Sequence, residues 1–278
     1  MSKIWLITGV SSGFGRSLAE AAVKAGDIVV GTLRKSIQCE EFNSLHPGLA
    51  SGILMDVNDS RQIASGVELV LKQHGRIDVL VNNAGYGLFG ALEEASEQET
   101  RDQMETNFFG ALALTRAVLP GMRKARSGHI VQISSIAGFR STPGLGIYNA
   151  SKFALEGVSE ALEAEVAPLG IKVLIVEPGP FRTHWAGNSA KDVTNKIDDY
   201  SDTARYTAQM IHGYAGSQPG DPDKAAELII DVINSPNPPL RLPLGKVAID
   251  RMREKLYMLE TEINLWEKQS IATAFDAL

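Results

Sequence analysis

Tyr148 and Lys152 stand four residues apart in Tyr148-Asn149-Ala150-Ser151-Lys152, and Ser135 lies thirteen residues upstream of the tyrosine. On a helix, that four-residue spacing puts phenol and ammonium on one face. A free phenol ionises with a pKa of roughly 10, and a neighbouring ammonium stabilises its phenolate. The pair can therefore give and take a proton. Taken alone, it is equally an ordinary helix pair. Near the start of the chain, Thr8-Gly9-Val10-Ser11-Ser12-Gly13-Phe14-Gly15 follows the first apolar run. Gly9 allows a sharp turn out of a strand, Gly13 lets a backbone approach a pyrophosphate, and Gly15 lets a helix pack closely on a sheet. The free N–H groups of that helix would complete a phosphate cradle. The spacing differs from the commoner GxGxxG and also fits a tight strand-to-helix turn that holds nothing.

Elements that could bring the two ends together follow from the apolar pattern. Ile4 to Thr8, Ile28 to Thr32, Gly52 to Met55, Asp78 to Val81, His129 to Ser134 and Ile171 to Val176 read as strands. They barely alternate, as strands covered on both faces should not. Between them, Ser17 to Ala25, Ile63 to Lys72, Ser96 to Arg123 (interrupted near Pro120) and Tyr148 to Pro168 read as helices. Strand–helix alternation predicts an α/β fold: a Rossmann-type doubly wound parallel sheet of about seven strands with helices on both faces. The seventh, edge strand is expected at Leu240-Arg241-Leu242, after a helix over Ala225 to Ser235. Residues 1–278 read as a single domain. Within it, 181–222 is polar and rich in Gly and Asp, which predicts one or two short helices forming a substrate-binding flap. Residues 245–278 form a C-terminal helical extension, with an amphipathic helix over Ile249 to Lys268 that carries Met252, Leu256, Leu259, Ile263 and Trp266 on one side.

Composition narrows the function. The 278 residues are 44% hydrophobic and 22% charged, enough for a substantial core. A net charge of −6 argues against a general grip on nucleic acid or anionic membrane, while leaving room for a local site that takes an anionic cofactor. One cysteine, Cys39, rules out an intrachain disulfide or a cysteine zinc site, and it reads as a packed or surface thiol. No apolar run approaches the roughly 18 residues of a membrane span, and the start lacks a signal-peptide pattern, so a cytoplasmic location is expected. The five histidines are scattered, and no metal site is expected. His184 reads as a surface residue. The acceptor-like Asn58-Asp59-Ser60 and Asn149-Ala150-Ser151 are set aside in a chain without a secretory signal.

Cofactor choice turns on the end of the second strand. An acidic side chain there bonds a ribose 2′-hydroxyl and repels a 2′-phosphate. This sequence has Thr32-Leu33-Arg34-Lys35 instead, two cations and no acid. Arg34 can make a bidentate phosphate contact, so NADP(H) is expected over NAD(H). The alternative is a solvated loop.

At this point the chain resembles the compact branch of the short-chain dehydrogenase/reductase family. The likeness runs in order from Thr8 to about Thr183, through the Gly-rich turn, Asp56, Asn82-Asn83-Ala84-Gly85, Asn107, Ser135, Tyr148, Lys152 and Pro178-Gly179. The resemblance implies catalysis by Asn107, Ser135, Tyr148 and Lys152. It implies that Gly9, Ser11, Ser12, Gly13, Phe14, Gly15, Arg34, Asp56, Val57, Asn83, Ala84, Gly85, Tyr148, Lys152, Pro178, Gly179, Phe181 and Thr183 bind the cofactor. Ser135 would bond the substrate oxygen, Lys152 would hold the nicotinamide ribose, and Asn107 would anchor a water near the lysine. The implied reaction interconverts a ketone or aldehyde and an alcohol by hydride transfer. The implied walls are Gly85, Tyr86, Phe139, Leu145, Phe181 and Trp185, a largely apolar set suited to a hydrophobic substrate. A homodimer or homotetramer paired through the helices at Ser96–Arg123 and Tyr148–Pro168 is expected as well. The competing readings are an NAD-dependent alcohol dehydrogenase of the same family and a non-catalytic dinucleotide-binding sensor.

Overall fold

The computed structural model describes residues 2–187 and 189–275. β1 (Ile4–Thr8) leads into α1 (Gly13–Lys24), β2 (Ile28–Leu33), α2 (Ser36–Leu45), β3 (Ala50–Leu54), α3 (Ser60–His74) and β4 (Val79–Asn82). A short strand, β5 (Gly87–Phe89), precedes α4 (Glu97–Met104), which passes through a π turn at Glu105–Phe109 into α5 (Gly110–Ala125). Next come β6 (Gly128–Ile133), α6 (Gly146–Val166) and β7 (Ile171–Pro178). The remainder holds β8 (Ala190–Asp192), α7 (Tyr206–Gly213), α8 (Pro222–Asn234), β9 (Arg241–Leu244) and α9 (Lys246–Ile271).

Seven strands form one parallel sheet in the order β3-β2-β1-β4-β6-β7-β9. The chain winds outward from β1 to β3, then returns to β4 on the other side of β1. That reversal makes the carboxyl ends of β1 and β4 the topological switch point, where open α/β sheets take their ligands. The sheet is apolar on both faces because successive side chains point opposite ways. Trp5 and Ile7 enter a core with Leu18 and Ala22 of α1 and Ile229 and Ile233 of α8. Ile4 and Leu6 enter a second core with Ile63 and Val67 of α3 and Leu114 and Val118 of α5. The starts of α3 and α4 are fixed by side-chain caps: Asp59 accepts from the Arg61 amide at 2.9 Å, and Ser96 and Glu99 form a reciprocal capping box.

The structure departs from the sequence reading in several places. The long helix is not interrupted near Pro120; α5 runs through it, and the irregularity lies at Glu105–Phe109. Pro120 and Arg116, whose carbonyl loses its donor, are both exposed, so water can replace the missing bond. α1 begins at Gly13, earlier than Ser17. The edge strand is Arg241–Leu244, where Pro243 is tolerated because nothing needs its missing N–H on the outer side. The 181–222 stretch holds a small parallel pair of β8 with β5, short helical turns, and α7. α9 is longer than expected, and its apolar stripe is bare. Ala248 is buried, but every described residue from Leu256 onward is exposed, including Leu259, Ile263 and Trp266. Met1 and residues 276–278 of the expected extension lie outside the described residues. Among the described residues, no helix is long and apolar enough to cross a membrane.

Candidate active site

The glycine turn leaves β1 at the switch point. Gly9 and Gly13 adopt φ of +71° and +59°, a region that strains other residues. A methyl on Gly15 would lie 2.4 Å from Asn83 Nδ2 and 2.5 Å from the Gly9 carbonyl oxygen, so helix and turn meet without room for a side chain. Asn83 Nδ2 donates to the carbonyls of Thr8 and Gly9 at 2.8 and 3.1 Å. The Thr8 hydroxyl accepts from the amides of Asn83 and Ala84, both at 2.9 Å. The segment after β4 is thus sewn to the turn after β1. Sequence reasoning passed over Thr8 as a residue that joins these segments; it was visible as the one hydroxyl in an otherwise apolar strand. Ser12, at the N-cap of α1, makes no side-chain capping bond among the described residues, and the first turn carries no acid. Its amides and dipole therefore suit an anion. Arg34 and Lys35 follow β2, both exposed. This donor set fits a dinucleotide phosphate.

Asp56 lies just past β3 and accepts from the Asn58 amide at 3.0 Å. Val57 is buried against Gly110, where a methyl would lie 2.7 Å from the Val57 carbonyl oxygen. Pro178 ends β7, and the Gly179 amide donates to the Leu244 carbonyl. Thr183 caps the next turn, and a methyl on Gly13 would touch it at 3.3 Å. Two expected wall residues face elsewhere. Phe181 is buried in the first core with its ring 5.1 Å from Phe14, because Gly220 leaves a slot that the ring fills. Phe139 lies under the cations of Arg241 and Lys255.

Ser135, Tyr148 and Lys152 converge at the carboxyl edge of β6. Tyr148 is 4% exposed, and the Ser135 hydroxyl lies beside its phenol and favours the ionised form. Lys152 Nζ lies 5.9 Å from the Tyr148 ring centroid and donates to the Ile133 carbonyl at 2.7 Å. Burial pushes the phenol up to about 12, against a smaller lowering by Ser135. Burial also pushes the lysine down to about 8, opposed by the charge of Glu156. The sequence reading had the ammonium making the phenol more acidic. Here desolvation dominates, since both groups are sealed and the ammonium is turned toward a carbonyl. Asn107 sits in the π turn, an irregularity that recurs at functional sites. Its Oδ1 accepts from the Tyr86 amide at 3.1 Å, and its Nδ2 donates to the Tyr86 carbonyl at 3.0 Å and Ser151 Oγ at 3.2 Å. A methyl on Gly85 would lie 3.0 Å from Asn107 Oδ1 and 3.8 Å from Lys152 Nζ, so Gly85 keeps a small space between them. Against the phenol, the Trp185 ring packs tilted with its centroid 5.1 Å away, and Phe89, Leu145 and Ala208 complete an apolar cluster. His184 is exposed. No group of three or more His, Cys, Asp or Glu among the described residues could hold a metal ion.

A phosphate-ready turn and a tyrosine–serine–lysine cluster thus share one sheet edge. The family model for short chain dehydrogenase matches residues 3–194. The chain belongs to the short-chain dehydrogenases. This short-chain dehydrogenase is 43% identical over 247 residues to the 3-ketodihydrosphingosine reductase of Bacteroides thetaiotaomicron, spanning 88% of this chain and 89% of that one. It superposes on a short-chain dehydrogenase from Streptomyces avermitilis with a TM-score of 0.93 and 46% identity over 98% of each chain. ElxO, solved with NADP bound, is 27% identical with a TM-score of 0.75, covering 90% of this chain and 100% of that one. This short-chain dehydrogenase is an oxidoreductase with solved relatives that bind nicotinamide dinucleotides.

Proposed function

We propose that this chain is an NADP(H)-dependent oxidoreductase that interconverts a hydrophobic ketone or aldehyde and its alcohol. The observation that carries this reading is the buried Tyr148 phenol, with Ser135 and Lys152 beside it at the carboxyl edge of the sheet. The bound dinucleotide supplies or accepts the hydride. Tyr148, protonated at neutral pH, gives its proton to the carbonyl oxygen in reduction and takes it back in oxidation. Ser135 donates a hydrogen bond to that oxygen as charge gathers on it. Lys152 binds the nicotinamide ribose and, once its ammonium leaves the Ile133 carbonyl, favours the phenolate needed for oxidation. Asn107 holds the Tyr86 backbone and, with Gly85, keeps the space through which a water could relay a proton.

Arg34 and Lys35, with no acid at the end of β2, support NADP(H) over NAD(H). The Trp185, Leu145 and Phe89 surroundings support an apolar substrate, and the keto substrate named for the Bacteroides relative agrees. Residues 1–278 form one Rossmann-type domain in this reading. Residues 181–222 act as its flap, since Trp185 from that stretch covers Tyr148. Phe109 and Phe153 leave aromatic surface on the two long helical segments, which supports a homodimer or homotetramer. The acidic composition and single cysteine support a cytoplasmic setting. The deciding experiment is fluorescence titration with NADPH and NADH, repeated on Arg34→Ala. NADPH should bind at least about tenfold tighter, and the variant should lose most of that margin. Equal or tighter NADH binding overturns the cofactor assignment.

A further inference from the structure

We propose that Arg241, on the outermost strand and beyond the region matched by the family model, is a positioning residue that holds Ser135 and Tyr148 in reacting geometry through Glu156. The inference rests on the proposed reductase reading for its catalytic consequence, though the geometry stands by itself. Arg241 Nη1 donates to Glu156 Oε2 at 2.8 Å and also to Glu177, while Nη2 donates to Glu160 Oε1 at 2.5 Å. Glu156 is one helical turn past Lys152 and two past Tyr148 on α6, and it is 3% exposed. Its other oxygen accepts from Ser134 Oγ at 2.6 Å. Ser134 is the neighbour of Ser135, whose hydroxyl lies beside the phenol and accepts from the Ala137 amide at 3.1 Å. A continuous path therefore runs from the guanidinium of β9 to a carboxylate of α6, then to the end of β6 and the two groups that face the substrate oxygen.

Two further observations place this path at the site rather than in a general ion cluster. A methyl on Gly138 would lie 2.3 Å from Glu156 Oε1 and 2.6 Å from Ser134 Oγ. The carboxylate is thus seated directly beneath the turn that follows Ser135. That turn is also gripped by the C-terminal segment. Arg241 lies 5.6 Å over the Phe139 ring, Lys255 donates to the Phe139 carbonyl at 2.8 Å, and Arg251 donates to Thr142 Oγ1 at 2.9 Å. The charged groups around Glu156 are Lys152 and Glu160 on α6, Glu177 on β7 and Arg241 on β9. Burial raises both Glu156 and Glu177, the latter to about 7, and Arg241 opposes the rise in each. One guanidinium thus keeps an anion beneath the reacting residues, and without it a buried carboxylate loses its partner.

The test compares full-length wild type, Arg241→Met and Arg241→Lys. The measurements are kcat and KM for a ketone that the wild type reduces, NADPH affinity by fluorescence, and amide hydrogen exchange. Arg241→Met should lower kcat about 10- to 100-fold, the scale set by a small misplacement of reacting groups. NADPH affinity should stay within about twofold, because the phosphate turn lies on a different strand. Exchange should quicken across 134–142 and stay unchanged across 9–15. Arg241→Lys keeps the charge and should recover part of the kcat. Wild-type exchange across 134–142 in folded Arg241→Met overturns the inference, as does a kcat loss matched by an equal loss of NADPH affinity. Should Arg241→Met fail to fold, Glu156→Gln, which keeps an acceptor for Ser134, must show the same kcat-specific loss or the inference fails. A wild type that binds NADPH and reduces no carbonyl counts against the proposed function, and the exchange readout still decides the positioning claim.

Discussion

Tyr148 and Lys152 show how burial sets the chemistry of a pair that spacing alone only nominates. Replacing Tyr148 by Phe removes the acid and leaves the ring packed under Trp185; turnover should fall about 10²- to 10⁴-fold with NADPH affinity unchanged. Unchanged turnover in a steady-state assay would sink the proposed role. Lys152 yields a separate, pH-dependent expectation. Its folded pKa, about 8, lies below the value near 10.5 of a free lysine. The unfolded chain therefore holds more protons between those values, and stability should rise with pH across that window. Below pH 8 the lysine is charged in both states, and its burial is a net cost. Lys152→Met should then unfold at a higher temperature than wild type at pH 7, with a stability gain on the order of 3 kcal/mol that fades as pH climbs from 8 towards 10.5. Calorimetry at a series of pH values reads this directly; a constant difference would mean that charge is not its source. The pair's identity was legible from the sequence. The direction of its pKa values was not, because the sealing of the phenol by Trp185 and the turning of the ammonium to Ile133 come from residues far away along the chain.

Among the elements, the first turn and its helix have the least freedom. Gly15→Ala places a methyl against a backbone carbonyl and the Asn83 amide. It should cost about 1–3 kcal/mol of stability, the usual range for overpacking, and weaken NADPH binding at least about tenfold. Thermal unfolding and the fluorescence titration check both, and an alanine variant with wild-type affinity would show that the cradle tolerates a side chain. The large elements were readable from their apolar pattern, which all but α9 bury against the sheet. Four smaller ones were not. α2 buries Cys39 and Phe42 within a mostly polar stretch, too little for a helical period to show. β5 and β8 are three residues each and exist because they pair with one another across the flap. The π turn around Asn107 has no period at all; what the sequence showed was the asparagine, not the loosened helix that presents it. The Arg241–Glu156 contact joins residues 85 positions apart, which spacing rules do not reach.

At the scale of the whole molecule, the sheet order brings β1 and β4 together and so assembles a site from Thr8, Asn83 and the far-removed Tyr148. α9 stands apart from that assembly. Its first turns clamp the loop after Ser135, while the stretch from Leu256 onward leaves the body. A chain ending at Lys255 should therefore keep its turnover and unfold within about 2–4 °C of the full chain, the shift expected for a change near 1 kcal/mol at this size. A larger drop in scanning calorimetry would mean that the outer helix is covered in solution. The three tryptophans fall one to each region: Trp5 in the core with its indole N–H on Asp27, Trp185 on Tyr148, and Trp266 out on α9. The chain thus carries three optical reporters at separate depths. Emission from Trp5 follows global unfolding, emission from Trp266 follows whatever meets the outer helix, and quenching of Trp185 times the uncovering of the phenol.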